Sequence, residues 1–139
     1  LNKNRINVVG GIIVDENKIL VAQRSIQKEH PLKWEFPGGK VELGESPESC
    51  LHREIKEELS IEIRICGGLT PVLHSYPNKV IQLIPFLATW QGGSLKLTEH
   101  AQSQWLGKED LLFLNWAPAD IPIVSELKTN WGNFLAATL

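Results

Sequence analysis

The segment Gly38–Ile61, GGKVELGESPESCLHREIKEELSI, constrains the fold more than any other stretch of the chain. Its glutamates Glu54, Glu57 and Glu58 lie at i, i+3 and i+4. On a helix turning about 100° per residue, all three carboxylates leave the same face within one turn. Like charges stacked this way repel by a few tenths of a kcal/mol per pair, so such a face is either fully solvated or neutralised by a cation. The local signals predict a helix from Ser46 to Leu59. Ser46 is a good N-cap, Pro47 occupies the first-turn position where a missing N–H costs nothing, and Ser49 stands where a capping-box acid would be. A Pro37-Gly38-Gly39 turn leads in. The remainder of the fold has to support this loop and helix.

The rest of the chain suits a single domain over residues 1–139. At 139 residues it can bury a real core, and 42% hydrophobic and 22% charged residues are typical of a water-soluble globular protein. Fourteen basic and sixteen acidic side chains give a formal net charge of −2, which argues against a nucleic-acid-binding face. Cys50 and Cys66 lie in no metal-spaced pattern and read as buried thiols in a reducing compartment, so a cytoplasmic location is expected. The longest apolar run, Val8 to Val14, is far short of the ~20 residues that a membrane helix needs. The chain has no methionine and begins at Leu1, so the natural initiator, and with it a short leading piece, is expected to lie outside it.

Arg5 to Val14 is apolar on both parities, as in a strand buried on two faces. Gly10-Gly11 within it marks either a bulge or a close approach of ligand to backbone. Asp15-Glu16-Asn17 is a hairpin turn, Lys18 to Arg24 the return strand, and Ser25 to Lys33 a polar loop able to cover a substrate. Trp34-Glu35-Phe36 is a short strand stopped by Pro37. Strands follow at Ile61–Ile65, Val72–Tyr76 and Val80–Trp90, then Ser94–Leu97 and Trp105-Leu106, with turns at Gly67-Gly68, Pro77-Asn78 and Gly92-Gly93. Lys108 to Leu112 reads as one or two helical turns. Ile121, Val124 and Leu127 predict one amphipathic helix from Pro118 to about Trp131, with Pro122 acceptable only in its first turn. The class is α/β (α+β), a mixed sheet flanked by helices.

Three hard oxygen donors on a rigid helix suit Mg²⁺, or Mn²⁺, bridging to substrate phosphates. Arg53 points about 100° away from Glu54 and can reach a carboxylate of the preceding loop, with Glu45 a candidate. The order Gly39-x5-Glu45-x7-Arg53-Glu54-Ile55-x-Glu57-Glu58-x-x-Ile61 resembles the Nudix box, the signature of the Nudix hydrolases. Its six polar or glycine positions, each a residue of roughly 6–7% usage, make chance occurrence far less than about one in a thousand. Ser60 departs from the pattern, which has glycine there. A left-handed helix terminus at a non-glycine residue costs ~1 kcal/mol, so the departure bears on the helix stop and leaves the chemistry alone.

The resemblance implies an α/β/α sandwich with a mixed β-sheet, and hydrolysis of nucleoside diphosphates linked to another group. By position, Glu54, Glu57 and Glu58 match the family's metal-binding glutamates, the carbonyl of Gly38 a backbone ligand, and Arg53 the arginine that orients a catalytic glutamate. Trp34-Glu35-Phe36-Pro37-Gly38-Gly39-Lys40 and Val9-Gly10-Gly11-Ile12-Ile13 resemble the MutT-type nucleoside triphosphate pyrophosphohydrolases. The implied substrate contacts are therefore Glu35, Phe36, Pro37, Gly38 and Lys40, with Arg24 at the phosphates or sugar. Ala117-Pro118-Ala119-Asp120-Ile121-Pro122 and Glu99-His100 are similar to the bacterial CTP-cleaving subgroup. That similarity makes Glu99 a candidate metal ligand or base and Asp120 a candidate base reader in place of the MutT asparagine; a helix-start acid is the plainer reading of Asp120. Trp34, Phe36 and Tyr76 either stack on a base or belong to the core, and the four histidines form no zinc spacing.

The implied activity is Mg²⁺-dependent conversion of a nucleoside triphosphate and water to a monophosphate and pyrophosphate. The general base is Glu54 or Glu99, and Glu57 and Arg53 belong to the catalytic set. CTP, dCTP or a modified dCTP is the first substrate reading and 8-oxo-dGTP the second. Degenerate boxes mark accessory domains that sense nucleotides or read a base in DNA; here every box carboxylate is present. The expected partner is a small nucleotide, with no nucleic acid or membrane, in a monomer or homodimer.

Overall fold

The structure, a computed structural model, describes residues 5–139. Its frame is a parallel pair, β1 (Arg5–Asp15) beside β7 (Lys79–Gly93), in register from Arg5↔Val80 to Val14↔Thr89. The other strands, β2 (Lys18–Gln23), β3 (Trp34–Glu35), β4 (Gly38–Lys40), β5 (Ile61–Gly68), β6 (Val72–Tyr76) and β8 (Gln102–Leu106), add antiparallel to form one mixed eight-stranded sheet. β1 is buried on both parities because the sheet has a core on each face. On one face Val9, Ile13, Leu20, Ile61 and Ala88 pack against Cys50, Leu51, Ile55 and Leu59 of helix α1 (Pro47–Leu59). On the other, Ile12, Val14, Ile19, Val21 and Leu87 meet Leu111 and Trp116 together with Ile123, Val124 and Leu127 of α2 (Ile121–Thr129). This is an α/β/α sandwich. Among the described residues no helix is long and apolar enough to cross a membrane.

Five elements differ from the sequence expectation. The Pro37-Gly38-Gly39 turn is instead the approach to a strand, since Gly38–Lys40 pairs with β1 from Val8↔Lys40 to Gly10↔Gly38. Gly67-Gly68 is no turn: both residues lie in β5 opposite Leu87 and Phe86, and the chain reverses after Leu69, whose N–H reaches Pro85 O at 3.1 Å. Gly92-Gly93 ends β7, and 94–97 forms no strand. That stretch instead ties to the end of α1, through Lys96 N–Leu59 O at 2.9 Å. The expected single C-terminal helix is divided into a 3-10 turn (Pro118–Asp120), α2 and α3 (Trp131–Ala137), because Asn130 leaves the helical region at φ −117 and ψ 27. β8 is longer than Trp105-Leu106 because β2 offers it a full partner edge from Ile19 to Gln23. Gly10-Gly11 forms no bulge; β1 passes both without a register shift against β7. Cys50 and Cys66 are free thiols, the first buried and the second half-buried.

Candidate active site

The helix is set where its sequence places it. Ser46 Oγ accepts from Ser49 N at 3.1 Å, Pro47 begins the first turn, and Ser60 ends the helix in the left-handed region at φ 60. Counted from Leu51 on the buried face, Glu58, Glu54 and Glu57 lie about 20°, 60° and 120° round the helix. Their side chains are correspondingly 6%, 17% and 60% exposed. The three carboxylates form a gradient from core to solvent.

β4 brings the Gly38-Gly39 backbone against both β1 and α1. A Cβ at Gly38 would collide with the Val9 carbonyl, so only glycine fits there, and one at Gly39 would push the Glu54 carboxylate out of its place. Arg53 grips Glu45 with two bonds, Nε–Oε2 at 2.6 Å and Nη2–Oε1 at 2.9 Å. It also donates from Nη1 to Glu54 at 2.8 Å and to Glu57 at 3.4 Å. The Arg53 hydrogen bond, and then the Glu42 N–H, lower the Glu45 carboxyl to about 2. Arg53 is raised in turn, above all by its bond to Glu45.

Next to this network is a cavity of about 400 Å³, within the range of small-molecule sites. Its wall brings together Arg24, Glu35, Phe36, Gly38, Lys40, Glu54, Glu58, Glu99 and Asp120. Glu57 and Pro37 lie outside that lining. Phe36 is stacked on Trp116 at 5.0 Å between centroids and is buried, so it serves core and cavity together. Trp34 is buried in the core. Lys28, His30 and Lys79 also reach the wall. No spacing marks them in the sequence; they arrive because the 25–33 loop folds against β7, with Lys79 Nζ–Glu29 Oε2 at 3.2 Å.

Among the described residues no three His, Cys, Asp or Glu side chains already converge on a chelating geometry; Arg53 holds Glu54 and Glu57 in ion pairs. Glu58 nevertheless carries the mark of a cation ligand. Its Oε1 is buried with no hydrogen-bond partner. Burial, and then the charges of Glu54, Glu35 and Glu99, push its carboxyl up to about 9. Glu54 is raised as well, by burial, against the opposing effect of Arg53. Glu54 and Glu58, both raised, share one wall with Glu99, and hard-oxygen carboxylates gathered this way fit a divalent cation.

Glu35 is ionised although buried. Burial opposes its charge, but the His100 hydrogen bond and Arg24 outweigh it and hold the carboxyl below its usual range. Asp120 shows the reverse. It precedes α2 but makes no capping bond; its Oδ1 accepts from Phe36 N at 3.1 Å. Burial, and then the Glu35 charge, push Asp120 up to about 8, so at neutral pH it is a protonated acid that both donates and accepts.

Fold and site together define a domain that presents a rigid helix of carboxylates to a nucleotide-sized cavity. The NUDIX domain matches residues 4–127, and the chain belongs to the Nudix hydrolase family. It is 38% identical over 119 residues to the CTP pyrophosphohydrolase of Escherichia coli K12, covering 86% of this chain and 88% of that one. It is 38% identical over 109 residues to an 8-oxo-dGTP diphosphatase of Proteus vulgaris, covering 77% and 95%. The solution structure of the E. coli ORF135 protein superposes with a TM-score of 0.83 at 34% identity, covering 94% of each chain.

Proposed function

We propose that this chain is a Mg²⁺-dependent (or Mn²⁺-dependent) nucleoside triphosphate pyrophosphohydrolase that prefers CTP, dCTP or a modified dCTP. The observation that carries the reading is one cavity walled both by the carboxylates Glu54, Glu58 and Glu99 and by a buried, neutral Asp120. Glu54, Glu57, Glu58, Glu99 and the Gly38 carbonyl would hold the divalent ion, which supplies charge neutralisation at the phosphates and acidifies water. Arg24 and Lys40 bind and orient the polyphosphate, and Arg53 holds Glu54 in place. Glu54 or Glu99 takes the proton as water attacks the β-phosphorus. The bond from that phosphorus to the α,β-bridging oxygen breaks; that oxygen leaves on the nucleoside monophosphate and the water oxygen stays on pyrophosphate.

A neutral Asp120 matches cytosine twice, since its carbonyl accepts from N4 and its hydroxyl donates to N3. Guanine's N1 and N2 edge, which offers two donors, matches it once, but its N1 and O6 edge matches it twice, so Asp120 alone does not select the base. The same argument favours a second reading, 8-oxo-dGTP, because oxidation turns N7 into a donor beside the O6 acceptor. Pyrophosphate release from CTP, dCTP, 5-substituted dCTP and 8-oxo-dGTP, measured side by side, separates the two. Glu57→Gln is expected to cut turnover by orders of magnitude in a folded protein. Near-normal turnover of that variant in Mg²⁺ would sink the assignment.

A further inference from the structure

His100 lies in a short span held at both ends. Thr98 N donates to Glu58 O at 3.1 Å and Ala101 N to Gln23 O at 2.9 Å, which fastens 98–101 to the end of α1 and the end of β2. Between these ties Glu99 is half-exposed, whereas the His100 side chain is only 4% exposed. His100 Nε2 lies 2.9 Å from Glu35 Oε2. The other oxygen of Glu35 accepts from Arg24 Nη1 at 2.7 Å, and Arg24 Nε donates to Glu29 O at 2.6 Å. Because an ionised carboxylate only accepts, Nε2 carries the proton. His100 Nδ1 is buried without a partner. A histidine that only filled space would be replaceable by an apolar residue without leaving a buried polar atom unsatisfied. The bond to Glu35 is what the ring contributes.

We propose that His100 is a positioning residue: through Glu35 it sets the Arg24 guanidinium, and it fixes the span that carries Glu99. The inference rests on the reading of this cavity as a nucleotide site. The two ends of the relay act on different groups, Arg24 and Lys40 being the phosphate contacts and Glu99 a candidate ligand or base. Loss of His100 therefore moves both nucleotide affinity and turnover. Misplacement of reacting groups by about 1 Å costs on the order of a hundredfold, so kcat of His100→Ala is expected to fall about tenfold to a hundredfold, with KM rising as well.

The test compares His100→Gln, His100→Asn and His100→Ala. The glutamine amide N–H occupies the place of Nε2 and the asparagine N–H that of Nδ1, so glutamine restores the Glu35 bond and asparagine does not. Three readouts are taken: kcat and KM for CTP, CTP affinity by calorimetry in EDTA, and amide exchange at Thr98 and Ala101. Expected are near-wild-type values in His100→Gln with impaired affinity, turnover and protection in His100→Asn. In an Arg24→Ala background the affinity loss from the His100 change should disappear, since coupled residues are non-additive. Equal behaviour of the Gln and Asn variants, or an undiminished loss without Arg24, would overturn the proposal. Failure of the proposed function appears in the wild type on the four-nucleotide panel, whereas failure of this inference appears in the exchange pattern of the variants, which needs no substrate.

Discussion

Two buried acids, Glu58 and Asp120, are raised for related reasons and call for opposite experiments. Glu58 is held to about 9 by burial and by its carboxylate neighbours, well above its value in the unfolded chain. The folded state therefore binds the proton more tightly, and stability falls as pH rises from the ordinary carboxyl range towards about 9. In EDTA, Glu58→Gln is expected to be more stable than the parent by about 1–2 kcal/mol at pH 8 and by less at pH 5. The same variant should lose most of its activity with divalent metal. Thermal melts at the two pH values check the sign, and a destabilised variant at pH 8 would remove Glu58 from the cation site. Burial pushes Asp120 up to about 8, so its hydroxyl is expected below that pH and its loss above it. Against CTP, kcat/KM of the parent relative to Asp120→Asn is expected to fall about tenfold above that pH, the loss of one hydrogen bond. The asparagine keeps its donor at every pH, so the ratio isolates Asp120 from the general base. A flat ratio between pH 6.5 and 9.5 would show that Asp120 does not read the base.

At the scale of the element, α1 contains one strained position. Ser60 ends it at φ 60 and ψ 28, donating its N–H to Lys56 O. Ser60→Gly relieves a left-handed penalty of about 1–2 kcal/mol while adding about 0.4–1 kcal/mol of unfolded-state entropy. The expected gain is about 0.5–1 kcal/mol in urea unfolding at unchanged activity. α1 was also the element most legible in the sequence, since cap, proline and carboxylate spacing all act within a few residues of one another. β1 and β2 were legible for the same reason, through short continuous apolar runs closed by a turn. The misread elements depend on partners distant in the chain. Gly67-Gly68 extends a strand because β7 lies beside it, and 94–97 gives up a strand because the end of α1 offers hydrogen bonds. In the site, Arg53 and Glu45 were within reach by local counting. The Glu35–His100 bond spans 65 positions, and the capping reading of Asp120 gives way to a bond to Phe36 84 positions away. No local pattern encodes either.

Across the whole molecule, the proposed cation site draws on three separate pieces of chain: Gly38 in β4, the glutamates of α1, and Glu99 in the 98–101 span. Unfolding disperses them, so a divalent ion binds the folded state alone. At a hundredfold excess over its Kd it adds about 2.7 kcal/mol, or about 5–10 °C in Tm for a domain of this size. The gain will not be uniform. Amides of β1 and β7, which lie in the buried centre of the sheet, exchange through global opening and gain the full amount. Thr98 and Ala101 exchange through local opening of the span, which breaks the site, so they gain protection too. α3 has no buried residue and opens without disturbing the site, so its exchange stays unchanged. Adding Mg²⁺ to the metal-free protein should therefore divide the amides into a protected set and an unprotected C-terminal set, and EDTA should reverse the division. Protection that rises in α3 as much as at Thr98, or a Tm that ignores Mg²⁺, would mean that these three pieces do not share one ion.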